Sequence, residues 1–389
     1  MTRLIQSDFI GRLIALLLLT AIAIGALTVN AQAAEPSVSA ESCILVDAES
    51  GTVIYEKNPD NRMLIASTTK IMTALVALEN CSPDDIVEIE KEWAAVEGSS
   101  MGLSPGEFCS LRELLYGLLL ASGNDAGVAV ACHTAGSVEK FAELMNRKAE
   151  ELGMENSHFA NPHGLDHEAH FSTARDMAIL ASAAMKNAEL ALIVSTDEVT
   201  LPRGRRFSNH NKLLKNCEGC IGIKTGYTSK AGRTLVSACE RNGTRLICVT
   251  LRDGDDWADH ARLYDWGFEN YETVKVTDTT KILGSLPLVS GGTSSVKVTA
   301  GNELRLFVKK GAEIETVVNL PRFAYAGLEK GDQVGRMIVY ADGEEAASLP
   351  VVCAEDAPVD ESVPLNFWER VRWSWYIGNK YSNPIGTVI

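Results

Sequence analysis

Ile65-Ala-Ser-Thr-Thr-Lys-Ile-Met-Thr-Ala-Leu-Val-Ala-Leu78 places a serine and a lysine three positions apart at the front of an apolar run. The run reads as an amphipathic to buried helix over residues 68–80. Side chains three apart on a helix share a face, so Ser67 and Lys70 project together. The helix N-terminus adds positive potential beneath Ser67, which favours an oxyanion forming nearby. A serine hydroxyl is a weak nucleophile until an adjacent base takes its proton. Lysine is a base only when neutral, so desolvation or a neighbouring cation must pull its pKa down.

Four letters prove little, and the chain supplies its own control. Ser294-Ser-Val-Lys297 is a second S-x-x-K. It sits in a β-type alternation with no helix behind it, where the two side chains point to opposite faces. Gly102-Leu-Ser-Pro-Gly106 imitates the G-x-S-x-G elbow of α/β-hydrolases. That elbow takes an oxyanion donor from the N–H after the serine, and Pro105 has none. The segment is a turn.

Two further motifs follow Ser67 and Lys70 in order. Ser122-Gly-Asn124 closes the apolar helix of Leu114–Leu120. Its hydroxyl can relay a proton to a leaving amine, and its amide can hold a substrate carbonyl. Alone it also reads as a plain helix terminus. Lys224-Thr-Gly226 follows Ile221-Gly-Ile223 and is expected on an edge strand facing the serine. Gly226 admits close approach of a substrate backbone. Lys224 and Thr225 suit a carboxylate, and Lys224 is a cation able to depress Lys70. The trio outlines serine acyl transfer with a lysine base; in this order it is a known signature of class A β-lactamases and penicillin-binding proteins.

Other polar clusters carry less. His163, Asp166, His167 and His170 invite a metal, but they lie in a loop with Pro162 and Gly164 that fixes no ligand geometry. Nine cysteines allow four disulfides and an odd thiol. Cys81 and Cys109 flank a strand region and are candidates to pair. Cys217-Glu-Gly-Cys220 lacks the second CxxC or the histidines of a zinc site, and structural or reduced cysteines are expected. Neither a metal nor a cofactor is called for.

The 389 residues, 46% of them hydrophobic, suffice for two modest domains. A net charge of −15 excludes the basic surface that binds nucleic acid. Arg3 and Arg12, the apolar run Leu13–Val29 and Ala31-Gln-Ala33 form a secretory leader, with cleavage expected near Ala33 or Ala34. An uncleaved anchor is the alternative, and either one puts the body outside the cytoplasm. Near the other end, Leu365-Asn-Phe-Trp-Glu-Arg-Val-Arg-Trp-Ser-Trp-Tyr-Ile377 aligns Phe367, Trp368, Val371 and Trp375 on one helical face. It is too short and too charged to span a membrane, and suits an interfacial helix or one docked on the protein itself.

The expected fold class is α+β. Cys43-Ile-Leu-Val and Thr52-Val-Ile-Tyr are strands joined by a turn, as are Thr234-Leu-Val-Ser-Ala and Arg245-Leu-Ile-Cys-Val-Thr through Arg241-Asn-Gly-Thr244. Residues 110–121 and 137–151 are helical. An antiparallel sheet covered by helices is the natural assembly. After Tyr271, short β-branched runs (Ser295-Val-Lys-Val-Thr, Leu304-Arg-Leu-Phe-Val, Thr316-Val-Val, Met337-Ile-Val-Tyr) describe a small all-β domain. The division is thus 1–34 leader, 35–273 catalytic domain, 274–354 β-domain and 355–389 acidic linker with the aromatic helix.

Beyond the trio, Ile65-Ala-Ser-Thr-Thr-Lys-Ile-Met-Thr-Ala, Glu97-Gly-Ser-Ser-Met-Gly-Leu, Ala121-Ser-Gly-Asn-Asp-Ala, His163-Gly-Leu-Asp, Ser172-Thr-Ala-Arg-Asp-Met-Ala, Gly222-Ile-Lys-Thr-Gly-Tyr-Thr-Ser-Lys-Ala-Gly and Asp265-Trp-Gly-Phe stand in order. With these segments the chain resembles the serine-type D-Ala-D-Ala carboxypeptidases, low-molecular-mass penicillin-binding proteins of bacterial walls. The resemblance implies a β-lactamase/transpeptidase-like catalytic domain that acylates Ser67 with the penultimate D-Ala of a peptidoglycan stem peptide. It makes Lys70 the general base and Ser122 the proton relay. Asn124 orients the substrate, Lys224 and Thr225 hold its terminal carboxylate, and the N–H groups of Ser67 and Tyr227 form the oxyanion hole. β-Lactams would acylate the same serine. The C-terminal helix would hold the exported protein on the outer face of the cytoplasmic membrane. Several relatives carry an arginine downstream of the third motif, where this chain has Asp255-Asp-Trp-Ala-Asp-His260. A serine β-lactamase shares the trio, but no class A Glu-x-x-Leu-Asn loop stands between the second and third motifs. A wall-binding or β-lactam-sensing module on the same fold would not need its lysine base.

Overall fold

The computed structural model describes residues 35–289 and 291–360, with Phe367 and Val371 beyond them. The expected leader lies outside the described residues. So does the aromatic segment, apart from helical Phe367 and Val371, both exposed.

The element order starts with strands β1 (Ser42–Asp47) and β2 (Val53–Lys57) and then the Lys70–Asn80 helix. Short β3 (Ile86–Glu88) and β4 (Phe108–Ser110) pair, and helices Leu111–Leu119, Asn124–Ala135, Val138–Leu152, Ala174–Ala184 and Ala188–Ser195 follow. Another small hairpin, β5 (Glu198–Thr200) with β6 (Arg206–Ser208), and the Leu213–Asn216 turn of helix lead to the long strands β7 (Cys220–Thr228), β8 (Gly232–Arg241) and β9 (Thr244–Leu251). The Asp256–Asn270 helix closes this part.

β1, β2 and β7–β9 make one antiparallel sheet in the order β2-β1-β9-β8-β7. All six residues of β1 are buried, because helices cover both faces of the sheet. Ile44 and Val46 pack with the Lys70–Asn80 and Ala174–Ala184 side, while Cys43 and Leu45 meet Leu263, Tyr264 and Trp266 of the Asp256–Asn270 helix. A strand buried on both faces loses the apolar–polar alternation that marks a half-exposed one. The β8–β9 connection is the expected Asn242-Gly243 turn, with both residues at positive φ (52° and 78°), the two-residue hairpin geometry that Asn-Gly favours.

The second β assembly runs from β10 (Tyr271–Lys275) through β11 (Ile282–Val289), β12 (Ser295–Ala300), β13 (Arg305–Lys309), β14 (Ile314–Asn319), β15 (Ala324–Tyr325), β16 (Gln333–Ala341) and β17 (Glu344–Cys353). Six strands form a sheet in the order β14-β16-β17-β12-β11-β15, around Leu286, Val296, Val298, Met337, Val339 and Val351.

All nine cysteines are free. Cys81 and Cys109 do not pair: Cys109 stands opposite Val87 in the β3–β4 ladder, and Cys81 Sγ faces Thr134 Oγ1 at 3.8 Å. No single helix among the described residues is long and apolar enough to cross a membrane.

Candidate active site

Ser67 stands in a 3₁₀ turn, Ala66–Thr69, and the α-helix proper starts at Lys70, two residues later than the periodicity suggests. A 3₁₀ turn repeats every three residues, so the lysine lies over the serine more closely than an α-turn would allow. Lys70 Nζ is 3.0 Å from Ser67 Oγ, 2.8 Å from Asn124 Oδ1 and 2.7 Å from the His163 carbonyl. Asn124 Nδ2 donates to the Glu97 carbonyl at 2.7 Å, which turns Oδ1 toward the lysine. A neutral amine has two N–H groups and one lone pair. Asn124 and His163 accept the two N–H groups, and the lone pair is left for the Ser67 hydroxyl.

Lys70 is fully buried in the protein interior. Burial, and after it the charge of Lys224, hold its pKa well below the ordinary lysine value. Lys224 is buried as well, and burial lowers it to about 7. Its Nζ donates to the Thr225 carbonyl at 2.9 Å. As expected, β7 is an edge strand and runs beside the nucleophile. A Cβ on Gly226 would lie 2.9 Å from the Ser67 nitrogen, 3.1 Å from the Thr68 nitrogen and 2.4 Å from Thr234 Oγ1. Gly226 is therefore required by the protein's own chain at the serine. Tyr227, next along, is exposed.

Ser122 is buried and held at φ +59°, in the left-handed region, directly before the helix that begins at Asn124. Asp125 organises that corner. Its carboxylate accepts from Ser100 Oγ and from the N–H groups of Met101, Gly102, Leu103 and Ala126. The 97–103 loop is thereby clamped over Asn124. Its place in the first turn of a helix was a readable anchor signal, yet sequence reasoning stopped at Asn124.

The His163 loop forms the other wall. Thr73 Oγ1 donates to the Pro162 carbonyl at 2.6 Å, and Asn161 Oδ1 accepts from the N–H groups of His163 and Gly164. His170 Nδ1 accepts from the Ala160 N–H (3.1 Å), which makes Nε2 the donor to Thr69 Oγ1 at 2.7 Å. Thr69 Oγ1 in turn donates to the Ala66 carbonyl at 2.8 Å. Ala66 has φ +46°, a costly conformation for alanine immediately before the nucleophile. The bond from Thr69 fixes it. Burial lowers His170 to about 3 and His163 to about 4, and both are neutral near pH 7. These histidines are thus committed to protein partners, with Asp166 taken by Thr228 Oγ1 at 2.8 Å. Among the described residues three metal-ligand types meet only at Cys81, Asp85 and His133, where Asp85 Oδ2 already accepts the Ser82 N–H and faces His133 Nε2 at 3.6 Å.

The profile described as D-alanyl-D-alanine carboxypeptidase matches residues 29–255, and that of the penicillin-binding protein 5 C-terminal domain matches residues 271–359. The chain belongs to the D-alanyl-D-alanine carboxypeptidase family. It is 32% identical over 351 residues to D-alanyl-D-alanine carboxypeptidase DacF of Bacillus subtilis (86% of this chain, 90% of the relative). It is 34% identical over 343 residues to DacA of Escherichia coli K12 (83% and 85%). The crystal structure of penicillin binding protein 5 from Haemophilus influenzae superposes with a TM-score of 0.70 at 32% identity, covering 83% of this chain and 99% of that one. The carboxypeptidase family fits the sheet, helices and second β assembly described above.

One cation near β7 escaped the sequence reading. Arg233 stands directly opposite Tyr227 in the β7–β8 ladder, so both side chains lie on one face. Its guanidinium lies over the Trp257 ring at 5.5 Å and bonds Asp256, within the Asp255–His260 stretch. Register, invisible in sequence, supplied this neighbour.

Proposed function

We propose that this carboxypeptidase removes the terminal D-Ala of peptidoglycan stem peptides by acylation of Ser67, with Lys70 as the base. The observation that carries the reading is the buried amine 3.0 Å from Ser67 Oγ with two fixed acceptors on its other side. Ser67 attacks the penultimate D-Ala carbonyl as its proton passes to Lys70. The N–H groups of Ser67 and Tyr227 receive the oxyanion, a contribution of roughly 3 kcal/mol per donor. Ser122 hands the proton to the departing D-Ala amine, and water then releases the acyl group. Asn124 orients the peptide, and Lys224 and Thr225 bind its terminal carboxylate. Arg233, across from Tyr227, contributes the cation that Asp255–His260 lacks. β-Lactams mimic the scissile amide and acylate the same hydroxyl.

The catalytic unit spans residues 35–273 and the β-domain 274–354. The leader exports the protein, and the aromatic segment holds it on the outer face of the cytoplasmic membrane. Removing residues 364–389 is expected to free the protein from membranes with activity on small peptides intact; unchanged sedimentation refutes that attachment.

Incubation of the mature protein with a diacyl-Lys-D-Ala-D-Ala peptide is expected to release D-Ala. No release, or equal release from Ser67→Ala, overturns the assignment.

A further inference from the structure

Acyl transfer leaves the Cys217-Glu-Gly-Cys220 segment unused. Cys217 caps the Leu213–Asn216 turn just ahead of β7, and Cys220 opens β7 opposite Cys239 of β8. The spacing points to Cys220 as the partner of Cys217, but the fold points elsewhere. Cys217 Sγ lies 3.9 Å from Cys239 Sγ, whereas Cys220 Sγ turns to the Gly222 carbonyl at 3.4 Å. Two sulfurs thus approach one another, and among the described residues the one mixed metal-ligand group, at Cys81, lies elsewhere in the chain.

The members of the pair differ. Arg241 Nη2 is 3.8 Å from Cys217 Sγ. The contact with Cys239, and then the Arg241 charge, pull the Cys217 thiol down toward neutrality, so it is the thiolate-forming member. Cys239 is fully buried in the sheet and its thiol lies 3.0 Å from the Glu218 carbonyl; the contact with Cys217 and burial push it up. Burial raises Cys220 to about 11. A surface groove of ≈ 720 Å³ is lined by Glu218, Gly219, Arg241, Asp265 and Phe268, of which Arg241 and Glu218 contact the Cys217 and Cys239 sulfurs from behind its wall.

We propose that Cys217 and Cys239 are a peroxide-oxidisable pair, with Cys217 attacking and Cys239 resolving. The Cys217 thiolate takes one peroxide oxygen: an S–O bond forms, the O–O bond breaks, and the other oxygen leaves as water after protonation. Cys239 sulfur then attacks the Cys217 sulfenic acid. The S–S bond forms, the S–O bond breaks, and a second water leaves with the Cys239 proton. Two thiols lose two electrons, and the peroxide becomes two waters. The sulfurs close from 3.9 Å to about 2.05 Å, a movement available to Cys217 because it lies between helix and strand. The cross-link pins the segment ahead of β7 to β8.

Hydrogen peroxide treatment of the reduced full chain, followed by thiol alkylation and peptide mapping, tests this. A cross-link joining the Cys217 and Cys239 peptides is expected, and Cys220→Ser should retain it. In Cys239→Ser, dimedone should capture a sulfenic acid at Cys217; Cys217→Ser should give neither product. β-Lactam labelling checks that each variant is folded, and Cys220→Ser leaves the pair intact should the others misfold. A Cys217–Cys220 cross-link, or three thiols still fully alkylated after peroxide, overturns the proposal.

Discussion

Ser67–Lys70 and Ser294–Lys297 are spelled alike and share nothing else. In the first, a 3₁₀ turn stacks the two side chains, and the lysine is buried between an amide oxygen and a carbonyl. In the second, Ser294 is exposed just before β12, and Lys297 is an exposed strand residue whose nearest charge is Glu355 at 4.0 Å. Positions three apart on a strand fall on opposite faces. The difference teaches that the motif's chemistry resides in two environmental properties, eclipsed geometry and desolvation, neither of which four letters encode.

The largest effects should separate the two copies completely. Ser67→Ala is expected to abolish β-lactam labelling and D-Ala release, a loss of at least about 10³-fold, because no second nucleophile is activated there. Lys70→Gln should lower acylation by roughly 10²–10⁴-fold, the usual worth of a general base. Ser294→Ala and Lys297→Gln should match the wild type in both assays. Should Lys297→Gln slow acylation as Lys70→Gln does, the contrast fails.

Much of this contrast was legible. The apolar run after Lys70 and the alternation around Lys297 were enough to rank the copies, and Asn242-Gly243 announced its hairpin. Three things were not. The helix start shifted because a 3₁₀ turn and an α-turn have the same apolar signature over four residues. The roles of Asp125 and His170 were missed because they come from chain segments far away in sequence, residues 100–103 and Thr69, and Arg233 because strand register, which the letters do not spell, sets it opposite Tyr227. The neighbour of Cys217 could not be read from the CxxC spacing, since local separation says nothing about which strand lies across.

Electrostatics should sharpen the comparison next. Lys224 lowers Lys70, so Lys224→Gln raises the Lys70 pKa and moves the acid limb of the acylation profile to higher pH. Loss of a charge-assisted contact with the substrate carboxylate should add a roughly 10–100-fold fall in kcat/KM. In the wild type, protonation of Lys224 as pH falls through about 7 should lower KM for carboxylate substrates. An unmoved acid limb in Lys224→Gln would separate the two lysines. Arg233→Gln should raise KM about tenfold with kcat little changed, whereas Lys297→Gln, likewise removing an exposed cation, should leave KM alone. Equal KM values in all three proteins would remove Arg233 from the carboxylate site.

The smallest effect concerns what holds the productive copy in shape. Ala66 sits at φ +46° beside the serine, and its carbonyl is held by Thr69, which His170 holds in turn. Nothing comparable is required of an extended strand, where every residue adopts its ordinary backbone. His170→Phe keeps the ring against Phe159 but removes the donor to Thr69 and the acceptor for Ala160. A lost hydrogen bond is worth about 1 kcal/mol, so acylation by a β-lactam should slow about fivefold, by way of kcat more than binding. His170→Gln carries both an acceptor and a donor and should restore most of the rate. His170 is neutral above about pH 3, so neither change should move the pH profile, which separates positioning from proton transfer. The folded state resists protonating this histidine between about 3 and 6.5, so its contribution to stability falls as pH drops through that window. His170→Gln should unfold less steeply with acid there, and an unchanged slope, or a rate in His170→Phe equal to wild type, would remove His170 from the support of Ser67.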